Sequence, residues 1–459
     1  KSANPALPGI EGRSCTQGAH QAVKCPHVEQ LERASPPNDG AMLAQQTHKA
    51  LIALAALLAA LPLTSSFAPA ARPMRPLAAG SGRACSATPL RAPAGGLSRK
   101  RGAGLGRQPP LALCMQEKQP DVAKQAEFDK AVDEGRVKDC VALMRANEDY
   151  ITVSFDAATS MLSAIPLDVS QENEQQQQVL TSYLYSFLKR KDLIKGFGYI
   201  PATPVYLPVA SKDMEVSDME KATGLELKAL TPRGTQFTWQ LAGLAVCALE
   251  LVVSQELGLD PFRIVPLTAL AFLADNVILS GAVFESVYRF FFPKYKEKII
   301  KHEAGHFLLA YLMGCPIQGF FLSAWDASKA GIGGQAGTIF FDNDLSSQLT
   351  SNKVTRTAID RYTIVVMGGI AAEAVEYNKA EGGASDEEVL VRFLVGLMPP
   401  WDQKRVLNQA RWAVTQATLI IREHQGAYDA LVDAMSAGRP LGECVRALEK
   451  ALAKGGGEL

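Results

Sequence analysis

The chain has 459 residues, of which 47% are hydrophobic and 20% charged, and its 47 Lys and Arg balance its 47 Asp and Glu. The balance is uneven, because residues 1–116 have 13 basic against 4 acidic residues and the remainder has 34 against 43. The acidic remainder argues against a nucleic-acid-binding surface, and the absence of any CxxC pair among the eight cysteines argues against a disulfide framework.

The first quarter of the sequence has the composition of a targeting leader. Residues 42–66 combine a weakly basic start with an apolar run of signal-peptide length, and residues 67–116 are rich in Arg, Ala, Ser, Gly and Pro, as transit peptides are. With Phe67 at the expected cleavage point, they resemble the two-part leader of plastid proteins in algae with secondary plastids. The alternative is a disordered basic linker. Residues 1–41 are expected to be upstream or disordered sequence.

The segment after the leader, residues 117–230, predicts a helical N-terminal region. Apolar residues recur at helical spacing between residues 121 and 150, and a second helix is expected at about residues 171–193. Residues 196–230 contain Gly, Pro and β-branched residues, which favour irregular or strand structure.

Two largely apolar runs follow, at residues 237–254 and 264–283, and each has about the length that crosses a bilayer core. We therefore predict a transmembrane hairpin over residues 237–283. The alternative is a pair of buried core helices, because each run contains a carboxylate, Glu250 or Asp275, that is costly in lipid.

The residues flanking the predicted hairpin suggest an orientation. Trp239 and the aromatic residues at 288–292 lie where aromatic belts flank a span. The flank after the second run is basic, with Arg289, Lys294, Lys296, Lys298 and Lys301. By the positive-inside tendency, both ends of the hairpin are expected on the stromal side.

Residues 301–309, KHEAGHFLL, contain two histidines four positions apart with a glutamate between them. On a helix, His302 and His306 project from one face and can share a tetrahedral metal ion, while Glu303 can take a proton from an activated water. HExxH alone is a weak pattern, because it also occurs in helices that bind no metal. The hypothesis of a metal site therefore requires a third ligand elsewhere in the chain.

Two further motifs follow in order, MGGIAAEAVEY at residues 367–377 and GGASDEE at residues 382–388. With HEAGH, they make residues 297–459 similar to the peptidase domain of the FtsH-like membrane-anchored zinc metalloproteases. This resemblance implies a mainly α fold with a small β element, a Zn²⁺ cofactor, a protein or peptide substrate and catalysis by Glu303. It also implies that an acid of the third motif is the third zinc ligand.

Two acids of the third motif are candidates for that ligand. Aligned without a gap, the asparagine of the family falls on Asp386 and its ligand aspartate falls on Glu387, so either carboxylate remains possible. Both could bind zinc through oxygen, but from different directions. The alternative for the whole motif is a helix N-terminus capped by Ser385, with acids near the positive end of the helix dipole.

The rest of this region predicts helices and one short strand. Helices are expected at about residues 355–377, 386–397, 402–424 and 441–453, and a strand at about residues 336–341. The strand could align an extended substrate through main-chain hydrogen bonds, or it could be an ordinary buried strand. Glu373 resembles a glutamate of the family near its site, and the favoured role for it is either a structural one behind the metal ligands or a position on the surface.

The chain contains no Gly-Lys dipeptide and therefore no GxxxxGK[ST] loop for nucleotide phosphates. The sequence thus predicts an ATP-independent, membrane-bound zinc metallopeptidase in the thylakoid or inner envelope, acting alone or with an FtsH-type ATPase or another plastid membrane complex. The first alternative is a proteolytically inactive FtsH-like scaffold or assembly factor. A soluble zinc enzyme becomes preferable if residues 237–283 belong to a packed core.

Overall fold

The computed structural model describes residues 122–455 except 168–170, 202, 205, 207–208, 233–235, 257, 259, 280 and 331–335. The predicted upstream segment, signal peptide and transit-like segment therefore lie outside the described residues. Within them, the chain forms 17 α-helices and one two-stranded sheet. This confirms the predicted mainly α class with a small β element.

Eight helices precede the HEAGH motif. They are α1 (Val122–Asp133), α2 (Val137–Ala146), α3 (Phe155–Ser163), α4 (Gln171–Arg190), α5 (Val216–Thr223), α6 (Gln236–Glu256), α7 (Pro261–Ile278) and α8 (Ala282–Phe291). Within residues 196–230, the described part contains α5 and a 3-10 turn at Ser211–Asp213 rather than a strand.

The HEAGH helix and the elements after it form the rest of the fold. They are α9 (Pro293–Leu312), β1 (Ile317–Phe321), α10 (Ala324–Lys329), β2 (Gly337–Phe340), α11 (Asn343–Thr350), α12 (Arg356–Val366), α13 (Gly368–Tyr377), α14 (Ala384–Val395), α15 (Gln403–Glu423), α16 (Gln425–Ser436) and α17 (Leu441–Gly455). β2 is the predicted strand, and it pairs with β1 in antiparallel register, with Thr338 opposite Phe320.

Helix α9 is the central element of the fold. Its C-terminal half is buried on nearly all sides, and it packs against α12, α13, α15 and α16 and against both strands. At the crossing with α13, Gly305 lies so close that an added Cβ would come 2.4 Å from the carbonyl oxygen of Gly368. The two backbones are therefore in direct contact, and this contact fixes the position of the histidine helix.

The helical N-terminal region shares one hydrophobic core with the region around α9. A Cβ added to Gly442 of α17 would lie 1.8 Å from the carbonyl oxygen of Thr159 in α3, so these helices also meet backbone to backbone. The buried Tyr185 of α4 donates its hydroxyl to the carbonyl of Ile317 in β1, at 3.1 Å. The N-terminal helices thus support the sheet beside the HEAGH helix.

The predicted transmembrane hairpin is present as two neighbouring helices, α6 and α7, but not with the properties of a span. Among the described helices, none is both long enough and apolar enough to cross a bilayer. The predicted span over residues 237–283 is therefore not supported.

The alternative of two buried core helices also disagrees with the structure. Helices α6 to α8 expose a set of large apolar side chains, which we call the apolar face: Leu244, Leu249, Val252, Phe262, Leu267, Leu270, Val277, Ile278, Val287, Phe290, Phe291 and Phe292. Phe290 is 83% exposed and Val277 is 75% exposed. The apolar runs of the sequence are therefore largely exposed in the described chain rather than buried in a core.

Candidate metal centre

Helix α9 brings the two histidines of HEAGH together. His302 and His306 are one helical turn apart, and their Nε2 atoms are 3.2 Å from each other. His306 is buried, and the side chain of His302 is 12% exposed. The room for the His302 ring depends on Gly369 of α13, because a Cβ at that position would lie 2.2 Å from His302 Nε2.

The third member of the cluster is Asp386, in the first turn of α14. Its Oδ2 lies 3.0 Å from His302 Nε2 and 3.3 Å from His306 Nε2. The helix begins after Gly383, which has φ +90° and lies against Ile370, where a Cβ would clash. Ser385 is therefore not the helix cap, and the left-handed glycine aims Asp386 at the histidines.

Glu387, the other candidate for the third ligand, lies outside this group. Among the described residues, the acids and imidazoles whose ligand atoms converge within 4.8 Å are those of His302, His306 and Asp386. Glu387 is half-buried, and burial raises the pKa of its carboxyl. Of the two candidate acids of the third motif, Asp386 is therefore the one that lies beside the histidines.

The spacing of the three ligand atoms is close to that required by a tetrahedral metal ion, and up to about 0.3 Å shorter. Bonds of about 2.0–2.2 Å to nitrogen and oxygen imply separations between neighbouring ligand atoms of about 3.3–3.6 Å. The observed separations are 3.0, 3.2 and 3.3 Å. Both oxygens of Asp386 are buried, with the two Nε2 atoms 3.0 and 3.3 Å from Oδ2, and a buried carboxylate is costly unless positive charge, from protons on the imidazoles or from a bound cation, balances it.

Hydrogen bonds on the far side of each ring set the orientation of the histidines. His302 Nδ1 lies 2.9 Å from Glu373 Oε1, and His306 Nδ1 lies 2.9 Å from the carbonyl oxygen of Val365. Because both partners are acceptors, each Nδ1 donates a hydrogen, and each Nε2 lone pair points to the centre of the cluster. This tautomer is the one that binds a metal through Nε2.

Glu373 also connects the histidine helix to the segment that carries Asp386. Its Oε2 accepts hydrogen bonds from the backbone N–H groups of Glu381, at 2.7 Å, and Gly382, at 3.0 Å. Burial would raise the pKa of this carboxyl, but the bonds to His302 and to the two backbone groups hold it below its usual value. The sequence favoured either a structural role behind the metal ligands or a surface position for Glu373, and the structure places it against His302, where it is buried.

The charges of the cluster favour a bound cation. Burial alone would raise the pKa of the Asp386 carboxyl, but the two imidazoles outweigh burial and hold it well below its usual range. For His302 the directions are reversed: burial lowers the pKa of the imidazole, but Asp386 and Glu373 outweigh burial and raise the pKa above its usual value. The centre therefore keeps its carboxylate ionised and binds positive charge, as protons or as a metal ion.

Glu303 lies beside this centre and is also buried, at 4% exposure. Its Oε2 accepts a hydrogen bond from the hydroxyl of Thr338 in β2, at 2.9 Å. Burial raises the pKa of the Glu303 carboxyl, while the two histidines and Thr338 act in the opposite direction. Sequence reasoning identified Glu303 but missed Thr338, because the strand pairing that places this threonine leaves no local signal.

Comparison of the chain with protein-family models, with curated proteins and with solved structures returns no match.

Proposed function

We propose that this protein is a zinc-dependent peptidase whose metal is held by His302, His306 and Asp386. The observation that carries the proposal is the convergence of two imidazoles, each with its Nε2 directed at the centre, and a buried carboxylate. Two histidines and one acid leave a fourth position of a tetrahedral zinc open, as in catalytic zinc sites. The resemblance of the three motifs to FtsH-like metalloproteases supports the same assignment.

A zinc ion held by His302, His306 and Asp386 would acidify a water molecule and polarise a carbonyl group. Glu303 accepts the proton of the attacking water and passes it to the leaving amine of the peptide. Its raised pKa suits both steps, since a carboxyl with an ordinary pKa returns a proton less readily near neutral pH. Asp386 stays ionised throughout, and Glu373 holds the His302 ring in its metal-binding tautomer.

The substrate in this proposal is an extended segment of a protein. In the described chain, the sheet consists of β1 and β2, so the second edge of β2 has no strand partner. An extended peptide can add to such an edge through main-chain hydrogen bonds. Thr338 places that strand next to Glu303, so a peptide bound there passes close to the metal ligands.

The proposal includes association with a membrane surface or a membrane complex. The apolar face of α6 to α8 is exposed, and Lys294, Lys296 and Lys298 follow it directly. Exposed aromatic residues beside lysines are typical of segments that lie on an anionic lipid surface. The same face favours the second candidate function, a proteolytically inactive assembly factor in a plastid membrane complex.

The test compares the protein with its Glu303→Gln variant and with Glu297→Gln, which alters an exposed glutamate on the same helix. Metal content is measured by mass spectrometry, and cleavage is measured with casein and a peptide library. We expect zinc in all three proteins and at least about a hundredfold loss of cleavage only in Glu303→Gln, the scale of a missing general base. Equal cleavage by the protein and Glu303→Gln rejects the peptidase, and metal binding without cleavage favours the assembly factor.

A further inference from the structure

Thr338 is a buried residue of β2 whose hydroxyl points at the HEAGH helix. It is 1% exposed, and its Oγ1 lies 2.9 Å from Glu303 Oε2 and 3.2 Å from the main-chain oxygen of Glu303. A hydroxyl has a single hydrogen, and the shorter bond to the charged acceptor is the stronger of the two. The side chain of Glu303 is therefore held from the strand as well as from its own helix.

The hydroxyl has little freedom to move. Thr338 lies opposite Phe320 in the antiparallel pair of β1 and β2, so its backbone is fixed by the register of the sheet. Its branched Cβ restricts the rotation of the side chain, and close burial restricts it further. Phe320 in turn packs edge-on against Phe307 of α9, with ring centroids 6.0 Å apart, which ties the strand pair to the histidine helix.

The Glu303 carboxylate, which accepts this hydrogen bond, must be oriented toward the reacting water to act as a general base. A glutamate side chain has three rotatable bonds, and a general base must present one oxygen to the reacting proton at hydrogen-bond distance. Fixing Oε2 by a hydrogen bond fixes the direction of Oε1, since the two oxygens belong to one planar group. Among the described residues, Thr338 is the side chain that donates a hydrogen bond to Glu303.

We propose that Thr338 is a positioning residue, which orients Glu303 toward the centre formed by His302, His306 and Asp386. This inference rests on the proposed peptidase function and adds to it a residue outside the three sequence motifs. Thr338 does not touch the metal ligands in this role and acts only through Glu303. Its hydroxyl, rather than its size or shape, carries the effect.

Two substitutions separate the hydroxyl from the shape of the side chain. Thr338→Val keeps the branched shape and removes the hydroxyl, Thr338→Ser keeps the hydroxyl, and Thr350→Val removes an exposed hydroxyl from α11 as a control. We expect kcat of Thr338→Val to fall about tenfold to a hundredfold with KM unchanged, the scale of a hydrogen bond to a charged group. Thr338→Ser and Thr350→Val are expected to remain within about threefold of the unmodified protein, since neither loses that bond.

Zinc content and the visible absorption of the Co²⁺-loaded full chain complete the test. We expect full metal content in every variant, and we expect the Co²⁺ bands of Thr338→Val to shift as those of Glu303→Gln do, while Thr338→Ser keeps the original bands. Loss of metal in Thr338→Val, or kcat and bands equal to those of the unmodified protein, overturns the positioning role. If the unmodified protein cleaves nothing, the peptidase proposal fails, and the Co²⁺ bands still decide whether Thr338 orients Glu303.

Discussion

The C-terminal half of helix α9 and the apolar face of α6 to α8 both consist mainly of apolar side chains, but their environments are opposite. Phe307, Leu308 and Leu309 of α9 are fully buried, whereas Phe290 and Phe291 of α8, less than twenty residues earlier, are 83% and 68% exposed. Helices α12, α13, α15 and α16 cover α9, whereas no element of the described chain covers the apolar face to a similar extent. An apolar stretch of sequence thus indicates side chains that favour burial. Whether other elements of the same chain bury them depends on the rest of the fold.

The buried region is most sensitive at the third ligand. Replacing Asp386 by Asn removes the charge that binds the metal, and we expect metal affinity to fall more than about a hundredfold, beyond the tenfold to hundredfold effect of an outer-shell partner. Glu387→Gln, the neighbouring change, is expected to leave affinity unchanged, because Glu387 lies outside the cluster. Competition titration with a zinc chelator measures both. A larger loss in Glu387→Gln than in Asp386→Asn would show that the carboxylates are assigned in the wrong order.

The next largest effect is expected from the packing around His302. Gly369→Ala places a methyl group where a Cβ lies 2.2 Å from His302 Nε2, so the ring must leave its position. We expect a loss of about 1–3 kcal/mol in the free energy of unfolding together with loss of metal, as for overpacked cores. Gly426→Ala is the matched control, because no atom lies within 4 Å of a Cβ there. Chemical denaturation and metal analysis follow the change, and normal metal binding by Gly369→Ala would contradict the placement of His302.

A smaller loss is expected when only the orientation of His302 is weakened. Glu373→Gln keeps the size of the side chain but removes its charge, and we expect metal affinity to fall about tenfold to a hundredfold. Glu376→Gln, three positions later on the same helix, removes a carboxylate that pairs with Lys301 instead. Affinity equal to that of Glu376→Gln would show that Glu373 does not support the metal site.

The smallest effect on the metal centre is expected from the apolar face. Replacing Phe290 and Phe291 by Ser is expected to change the free energy of unfolding by less than about 0.5 kcal/mol per residue and to leave metal affinity unchanged, because both side chains are exposed. The same change is expected to reduce binding to anionic vesicles in a sedimentation assay. Unchanged vesicle binding would reject the proposal that this face binds a lipid surface and would favour a protein partner.

The sequence predicted those parts of the centre that depend on local spacing. His302, Glu303 and His306 lie within one helical turn and a half, and a helix places them without help from the rest of the fold. The strand at β2 and helices α14, α15 and α17 were also predicted close to their observed bounds, whereas the single helix expected at about residues 355–377 is divided into α12 and α13, and α11 and α16 were not predicted. These features depend on periodicity and on turn residues, which a single sequence contains.

The remaining features depend on contacts between distant segments. The choice of Asp386 over Glu387 is made by the left-handed turn at Gly383 and its contact with Ile370, and neither is visible in an alignment of motifs. The bond from Thr338 to Glu303 depends on the register of β2 against β1. The predicted membrane span over residues 237–283 was not supported, since none of the described helices is both long and apolar enough to cross a bilayer. The leader lies outside the described residues, so its assignment stays a prediction.

The contact between Gly305 and Gly368 limits how far the residues of the candidate metal centre can shift relative to one another. Main-chain atoms have no rotamers, so the distance between these two helices cannot adjust when a neighbouring side chain turns over. His302 and His306 flank this point on one helix, and Gly369 follows it on the other. The positions of the imidazole rings are therefore restricted by the contact between the two backbones. A larger residue at the crossing would push the two helices apart. The imidazoles would then move away from Asp386, while the outer surface of the protein would change less.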